Sequence, residues 1–396
     1  MKRATSLLTI VLLAIWTSSA SAEMFWEFHT VDSPTGSFNN VGFYNSLALD
    51  TEGRPHVTYM KDVFAEPDLL RYAVLNGATW DIQTVDIGSA TGSLTVGTLA
   101  LDGDDRPHIS YGDGAAFKLA VLDEDAWGVT TFGDEDRTNY GGNSLTLDAT
   151  GTPHVSFKFD YTPESDFPNH SGLGYATIDG ANWTPTTIEA TDEHGGLGQA
   201  SRLALDADGL GHVVYRGDLW EVKYAGQLSD GTTWIPEVVA DDFAAAHTSS
   251  LALDSQNRPH ITLRTFDGIT YAFHDGDTWQ FHVLDETPGI ISSSVVIDDQ
   301  ELPHIAYTRP NMPDVTAGLL YAHYDGQSWH TELVRTGQSL DVGSLALDAN
   351  GMPHISFHDF TFGRNLQYAV LVPEPTSLTL LGLVGALLFT SRRRRG

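Results

Sequence analysis

One stretch recurs along the whole chain and limits what it can fold into. Residues 344–357 read SLALDANGMPHISF. Near copies are SLALDTEGRPHVTY (46–59), TLALDGDDRPHISY (98–111), SLTLDATGTPHVSF (144–157), RLALDADGLGHVVY (202–215), SLALDSQNRPHITL (250–263) and SVVIDDQELPHIAY (294–307). Asp50, Asp102, Asp148, Asp206, Asp254, Asp298 and Asp348 mark the same position in seven units. Repeats at such periods signal a solenoid or a propeller. Each copy alternates apolar with small or polar residues, the period-2 pattern of a strand, on both sides of a turn that reads Asp-x-x-Gly-x-Pro in its fullest form. The Asp carboxylate bonds amides two residues on, Gly supplies positive φ, and Pro opens the second strand.

Two further strands complete each unit. A third carries Tyr-Ala or a variant, as in LLRYAVL (69–75) and ITYAF (269–273), and a fourth opens with Trp, as in WDIQTVD (80–86) and WQFHVLD (279–285). Trp80, Trp127, Trp183, Trp234, Trp279 and Trp329 open the fourth strand of six units. The seventh stops at LQYAVL (366–371), and its missing strand stands at the other end, as Trp26 in FWEFHTVD (25–32). This predicts an all-β, seven-bladed propeller, four antiparallel strands per blade, closed by the N-terminal strand joining the last blade.

The ends read differently. Residues 1–22 form a secretory signal peptide: Lys2 and Arg3, an apolar run from Leu7 to Trp16, then Ala20-Ser21-Ala22, with cleavage expected after Ala22. Residues 23–371 are the propeller. In residues 372–396, Pro373-Glu374-Pro375 precedes an apolar run, Leu378 to Phe389, and Arg392 to Arg395. This tail resembles the PEP-CTERM sorting signal of Gram-negative bacteria. The resemblance implies export across the inner membrane, a short transmembrane helix, and an exosortase-type membrane protease as partner, cutting near Pro373, Glu374 and Pro375. It implies a protein of the cell envelope, outer surface or extracellular matrix, in bacteria that secrete exopolysaccharide. Membrane contact is then confined to the C-terminal segment before processing.

Without the six basic residues of the two ends, 15 basic residues stand against 52 acidic ones, about −37. Phosphate backbones require clustered Lys and Arg, so nucleic acid is excluded as a partner. The chain has no Cys, so stability rests on packing and ring closure.

Repeated residues serve what every blade shares. His56, His108, His154, His212, His260, His304 and His354 are therefore expected to satisfy a buried backbone group or the turn Asp, not to bind metal. The residue two places after the turn Asp varies (Glu52, Asp104, Thr150, Asp208, Gln256, Gln300, Asn350), which does not suit a calcium loop at every turn. No metal site or cofactor is assigned, and calcium at one or two turns is left open. The turns before Trp183, Trp234, Trp279 and Trp329 resemble the second half of the Asp-box of sialidase-like propellers, with Asp179, Asp230, Asp275 and Asp325 one place late. Asp-boxes are structural, so the resemblance brings no catalytic residue.

Function is expected on the face formed by the loops joining second to third strands and blade to blade, because variable loops on a rigid frame carry binding. Candidate binding residues there are Asp160, Tyr161, Asp166 and His170; Asp192, Glu193 and His194; Asp218 and Trp220; Arg264; Arg309; and His358 and Asp359. Trp220 is the only Trp after residue 22 outside the blade position. There is no His-Glu-x-x-His, phosphate-cradling Gly loop or Gly-x-Ser-x-Gly elbow. The reading is a surface binding or scaffold module, with polysaccharide as ligand. One alternative is an extracellular glycoside hydrolase or polysaccharide lyase built from loop carboxylates and His. A second is a protein-interaction scaffold. Catalytic residues are not assigned.

Overall fold

The computed structural model describes residues 23–36, 39–64, 66–88, 94–113, 116–133, 137–161, 170–191, 196–241, 250–290, 292–361 and 363–374. The expected signal peptide, Pro375 and the C-terminal apolar run lie outside them. Two compact units divide the chain: residues 26–370, and the two ends 1–25 and 371–396. Within the ends, the Glu374 amide donates to the Glu23 carbonyl at 2.7 Å.

All regular elements among the described residues are strands, in seven antiparallel four-stranded sheets. Blades 1 to 6 take four consecutive strands each, over residues 40–87, 94–132, 137–191, 202–240, 250–285 and 293–336. Blade 7 takes Leu340–Leu347, Pro353–Asp359 and Asn365–Pro373, and its outer strand is Met24–Asp32. The N-terminal strand thus closes the seven-bladed propeller. The first strand of every blade packs against the first strand of the next, including blade 7 against blade 1. Apolar side chains gather in seven clusters, one per blade boundary; Val31, Val41, Leu47, Val57, Tyr59, Leu366 and Tyr368 fill the one between blades 7 and 1. The core is therefore between blades, and each sheet buries both faces.

The turns follow from the Asp. In all seven, its Oδ1 accepts the amides two and four residues on, as Asp50 does from Glu52 (2.9 Å) and Arg54 (2.7 Å). The residue three on is left-handed: Gly53, Gly151, Gly209 and Gly351, but Asp105, Asn257 and Glu301 in blades 2, 5 and 6. Two of these non-glycine residues use their carboxylates between blades, Asp105 on Thr51 and Glu301 on Ser255.

Each repeated His faces this turn. Its Nε2 lies 3.1 Å (His56) to 4.0 Å (His354) from the turn carboxylate. Its Nδ1 meets a third-strand tyrosine hydroxyl in six blades: Tyr72, Tyr175, Tyr224, Tyr271, Tyr321 and Tyr368. Burial, only partly opposed by the Asp, holds these histidines below their ordinary pKa, so they are neutral. Blade 2 has Leu119 at the tyrosine position, and Nδ1 of His108 has no partner. The His side chains are structural, as the repeat logic requires. The tyrosine is a partner that the sequence reading had not identified.

The same tyrosines tie blades together. The Trp of each following blade meets them edge-on at 5.0–5.6 Å: Trp80 on Tyr368, Trp127 on Tyr72, Trp234 on Tyr175, Trp279 on Tyr224, Trp329 on Tyr271 and Trp26 on Tyr321. Where Leu119 replaces Tyr, Trp183 stacks on Phe117 instead. Such pairs contribute about 0.5–1.5 kcal/mol each beyond area burial. A third tie lies nearer the loop face. The residue six after the Trp is Asp32, Asp86, Gly133, Glu189, Ala240, Asp285 or Arg335, and three after the His of the next blade stand Tyr59, Tyr111, Phe157, Tyr215, Leu263, Tyr307 and Phe357. An acid occurs wherever the partner is Tyr and nowhere else. In all four cases the hydroxyl donates to the carboxylate, at 2.9, 2.6, 2.5 and 3.0 Å.

Candidate functional site

The loop joining the second and third strands of blade 4, residues 217–221, builds the best-defined feature of the loop face. Its ends are clamped: the Gly217 amide donates to the Glu221 carbonyl at 2.8 Å, and the Leu219 amide to the Glu221 carboxylate at 2.7 Å. A Cβ at Gly217 would lie 2.3 Å from that carboxylate, so a larger residue would have to displace the Glu221 side chain. The tight path forces Trp220 to φ +73°, left-handed backbone that a bulky residue rarely adopts and that costs on the order of 1–3 kcal/mol. Strain retained on an exposed loop calls for a compensating role.

Trp220 is 40 % exposed, and the guanidinium carbon of Arg216 lies 3.3 Å from its ring centroid. Arg216 itself is buried. A Cβ on Gly196 would sit 2.3 Å from that carbon, so the guanidinium packs directly against the Gly196 backbone on the inter-blade segment. Arg216 Nη1 donates to Gln199 Oε1 at 2.6 Å, its amide donates to the Gln199 carbonyl, and its carbonyl accepts from Gly198. Burial lowers the Arg216 pKa, with Asp218 and Glu221 acting in the opposite sense. Sequence position offers no signal for Arg216, which ends a strand. What it does is fix the plane of an indole, at about 0.5–2 kcal/mol for such a contact. The loop carries two carboxylates, Asp218 and Glu221, and Glu189 of blade 3 holds Tyr215 and Lys223 of the flanking strands.

Other loops of the same kind also end in exposed apolar residues. They are Phe64 in blade 1, Phe266 in blade 5 and Met312 in blade 6, alongside Leu219 beside Trp220. By topology all lie on one face. Among the described residues no group of three or more His, Asp or Glu is placed to hold a metal ion. In the Asp turns the amides converge on Oδ1, joined in blade 3 by the Thr150 hydroxyl at 2.7 Å.

The expected site residues divide. Asp218 and Trp220 share one loop, and residues 196–199, which were not among the expected ones, are joined to it through Arg216. Asp166, Asp192, Glu193 and His194 lie outside the described residues. Asp160 pairs with Lys158, and His170, opposite Tyr161 in the strand register, is buried. Arg264 is half-buried at the edge of the Phe266 loop, its Nε enclosed. Of three more, His358 and Asp359 are interior, contrary to their placing on the open face, and Arg309 is half-buried. Arg309 is spent on Asp285, at 2.8 Å from Nε and 2.6 Å from Nη2. Asp359 pairs with Arg335 at 3.2 Å and accepts the Thr361 amide. His358 is fully buried against Phe43 and Phe360, and burial pushes its pKa down to about 4. Loop position alone does not say which way a side chain at a strand end points. Pro373 and Glu374 are exposed at the end of the last strand; Ala22 and Pro375 lie outside the described residues.

An exported propeller is the class that fold and ends define, and comparison with known proteins supports both parts. Residues 371–395 match the PEP-CTERM protein-sorting motif. That motif is the exosortase recognition signal and marks a chain for export to the cell surface. The chain is similar to a solved structure of unknown function from Dyadobacter fermentans, with a TM-score of 0.52 and 11 % identity over 88 % of this chain and 98 % of that one. At that identity the likeness is one of fold. It also matches the NanB sialidase of Streptococcus pneumoniae (TM-score 0.47, 10 % identity, 87 % of this chain and 70 % of that one). A further match is the Aleuria aurantia lectin (0.48, 10 %, 78 % and 98 %). No curated protein sequence matches the chain.

Proposed function

We propose that this protein is a noncatalytic surface module that binds polysaccharide through Trp220 and the apolar tips around it. The observation that carries this is the Trp220 platform: an indole in strained backbone, held flat on a buried guanidinium and kept 40 % exposed. A flat aromatic with neighbouring carboxylates suits the apolar face and hydroxyl rim of a sugar ring, since an amphipathic ring offers packing at low entropic cost. Phe64, Phe266 and Met312 would extend contact along a polymer. The sorting motif fits this use, because it delivers the domain to the surface where such polymers lie, with processing near the exposed Pro373 and Glu374. The test is a glycan array and pull-down with the exopolysaccharide of the host, using wild type and Trp220→Ala. Wild type is expected to be retained and Trp220→Ala lost. Equal retention of both, or of neither, would refute the proposal.

A further inference from the structure

The loop face is charged in one sense. The seven loops that join second to third strands carry eight Asp and Glu between them and one basic residue, Arg364. The seven segments that join the fourth strand of one blade to the first of the next carry eight more acids and no Lys or Arg. Six bases toward the loop-side ends of strands are spent on acids. Lys118 pairs with Asp113 at 2.8 Å, Arg309 with Asp285 at 2.6 Å and Arg335 with Asp359 at 3.2 Å, and Lys61, Lys158 and Lys223 face carboxylates in the same way. Acids also stand beside the apolar tips. Exposed Glu66 is two residues after Phe64, exposed Asp267 is next to Phe266, exposed Asp314 is two after Met312, and Glu221 follows Trp220. Four blades thus offer an apolar side chain with a carboxylate beside it in the chain, all on the face that carries Trp220.

We infer that the polymer taken by this face is a basic polysaccharide, built of amino sugars with free amines, and that polymers of uronic acids are turned away. The inference rests on the reading of Trp220 as a sugar platform and names the class of sugar. An amino-sugar ring brings an apolar face to the indole and an ammonium to a carboxylate, and hydrogen bonds between charged groups are the stronger kind. A polyanion meets like charge across the whole face, felt over a Debye length of about 10 Å at 0.1 M salt. A run of ammonium groups along one polymer lets the tips of several blades act together.

The test is calorimetry on the full chain in mild detergent, at a pH where the amines are protonated, with three oligosaccharides of equal length: a glucosamine oligomer, its fully N-acetylated counterpart and a uronic acid oligomer. Wild type should bind the glucosamine oligomer on the order of tenfold more tightly than the N-acetylated one, lose that margin as salt is raised, and give no heat with the uronic acid oligomer. Glu66→Gln, Asp267→Asn and Asp314→Asn combined change only exposed side chains, so the variant should fold, and it should bring the two affinities together. Equal or tighter binding of the N-acetylated or uronic acid oligomer, abolished by Trp220→Ala, would overturn the inference and leave the platform standing. No binding of any oligomer, or binding untouched by Trp220→Ala, would overturn the platform and the inference with it. Tighter binding of an equally charged oligolysine than of the glucosamine oligomer would overturn the inference in favour of a basic protein.

Discussion

Asp285 offers a sharp test of how the blades are held together. Its carboxylate, at the end of blade 5, accepts the Tyr307 hydroxyl (3.0 Å) and two nitrogens of Arg309 (2.8 and 2.6 Å) from blade 6. Burial would raise its pKa, but hydrogen bonds from Thr287 and Arg309 outweigh this and hold it below the ordinary value. Asp285→Ala leaves a fully enclosed tyrosine without an acceptor and a guanidinium, whose side chain is 23 % exposed, without its anion. Breaking a buried pair costs about 3–5 kcal/mol; partial solvation of Arg309 puts the expected loss near the lower end, about 3 kcal/mol. The blade 4–5 boundary has Ala240, Leu263 and Thr265 at the equivalent places. Importing that set as Asp285→Ala, Tyr307→Leu and Arg309→Thr removes the orphaned tyrosine and guanidinium and leaves only Thr287, which is half-buried and open to water, without its acceptor. The triple variant should therefore recover most of the loss and sit within about 1 kcal/mol of wild type. Urea unfolding followed by tryptophan fluorescence reads this directly. With a slope of about 3 kcal/mol/M the single variant should shift the midpoint by about 1 M, the triple variant by far less. A triple variant as unstable as the single one would refute the reasoning.

Three further outcomes follow from the same geometry. Tyr271→Phe leaves Nδ1 of His260 without a partner, as that of His108 already is, and should cost about 1–2 kcal/mol in the same urea assay; an unchanged midpoint would contradict the role given to the tyrosine. His354 and His358 have folded pKa values of about 4, so each adds stability that is complete above its unfolded value near 6.5 and declines as pH falls toward 4. That is about 3 kcal/mol for each, and urea midpoints should fall steeply between about pH 6.5 and 4, where a flat profile would count against their burial. Dialysis against a chelator should leave the thermal midpoint unchanged, because the turn carboxylates accept amides; a drop would assign calcium to one of the turns.

The fold was legible because the sequence states it seven times. Asp348, His354 and Leu345 repeat in register, and the displaced Trp26 announces the closing strand. The His pairing with the turn Asp was legible for the same reason. The Tyr–acid tie was also present in the sequence, but its halves belong to different blades. Asp285 and Tyr307 make sense only after the end of one repeat is read against the second strand of the next. The site was less legible. Trp220 stood out as the one tryptophan off the blade pattern, whereas Arg216 and Gly196 have no pattern to break, since a flat stack depends on side-chain direction and on a missing Cβ. Arg309, His358 and Asp359 were placed on the rim because they end strands. A strand end sends alternate side chains inward, and the sequence around these three does not mark the turning point.

The account rests most on Trp220 as a sugar platform, and a crystal structure of the protein soaked with oligosaccharides from the exopolysaccharide of its host tests that directly. The expected result is a sugar ring stacked on the indole of Trp220, opposite Arg216, at about 4 Å, with hydroxyls directed at the neighbouring carboxylates. A sugar bound elsewhere on the propeller, with Trp220 uninvolved, would contradict it.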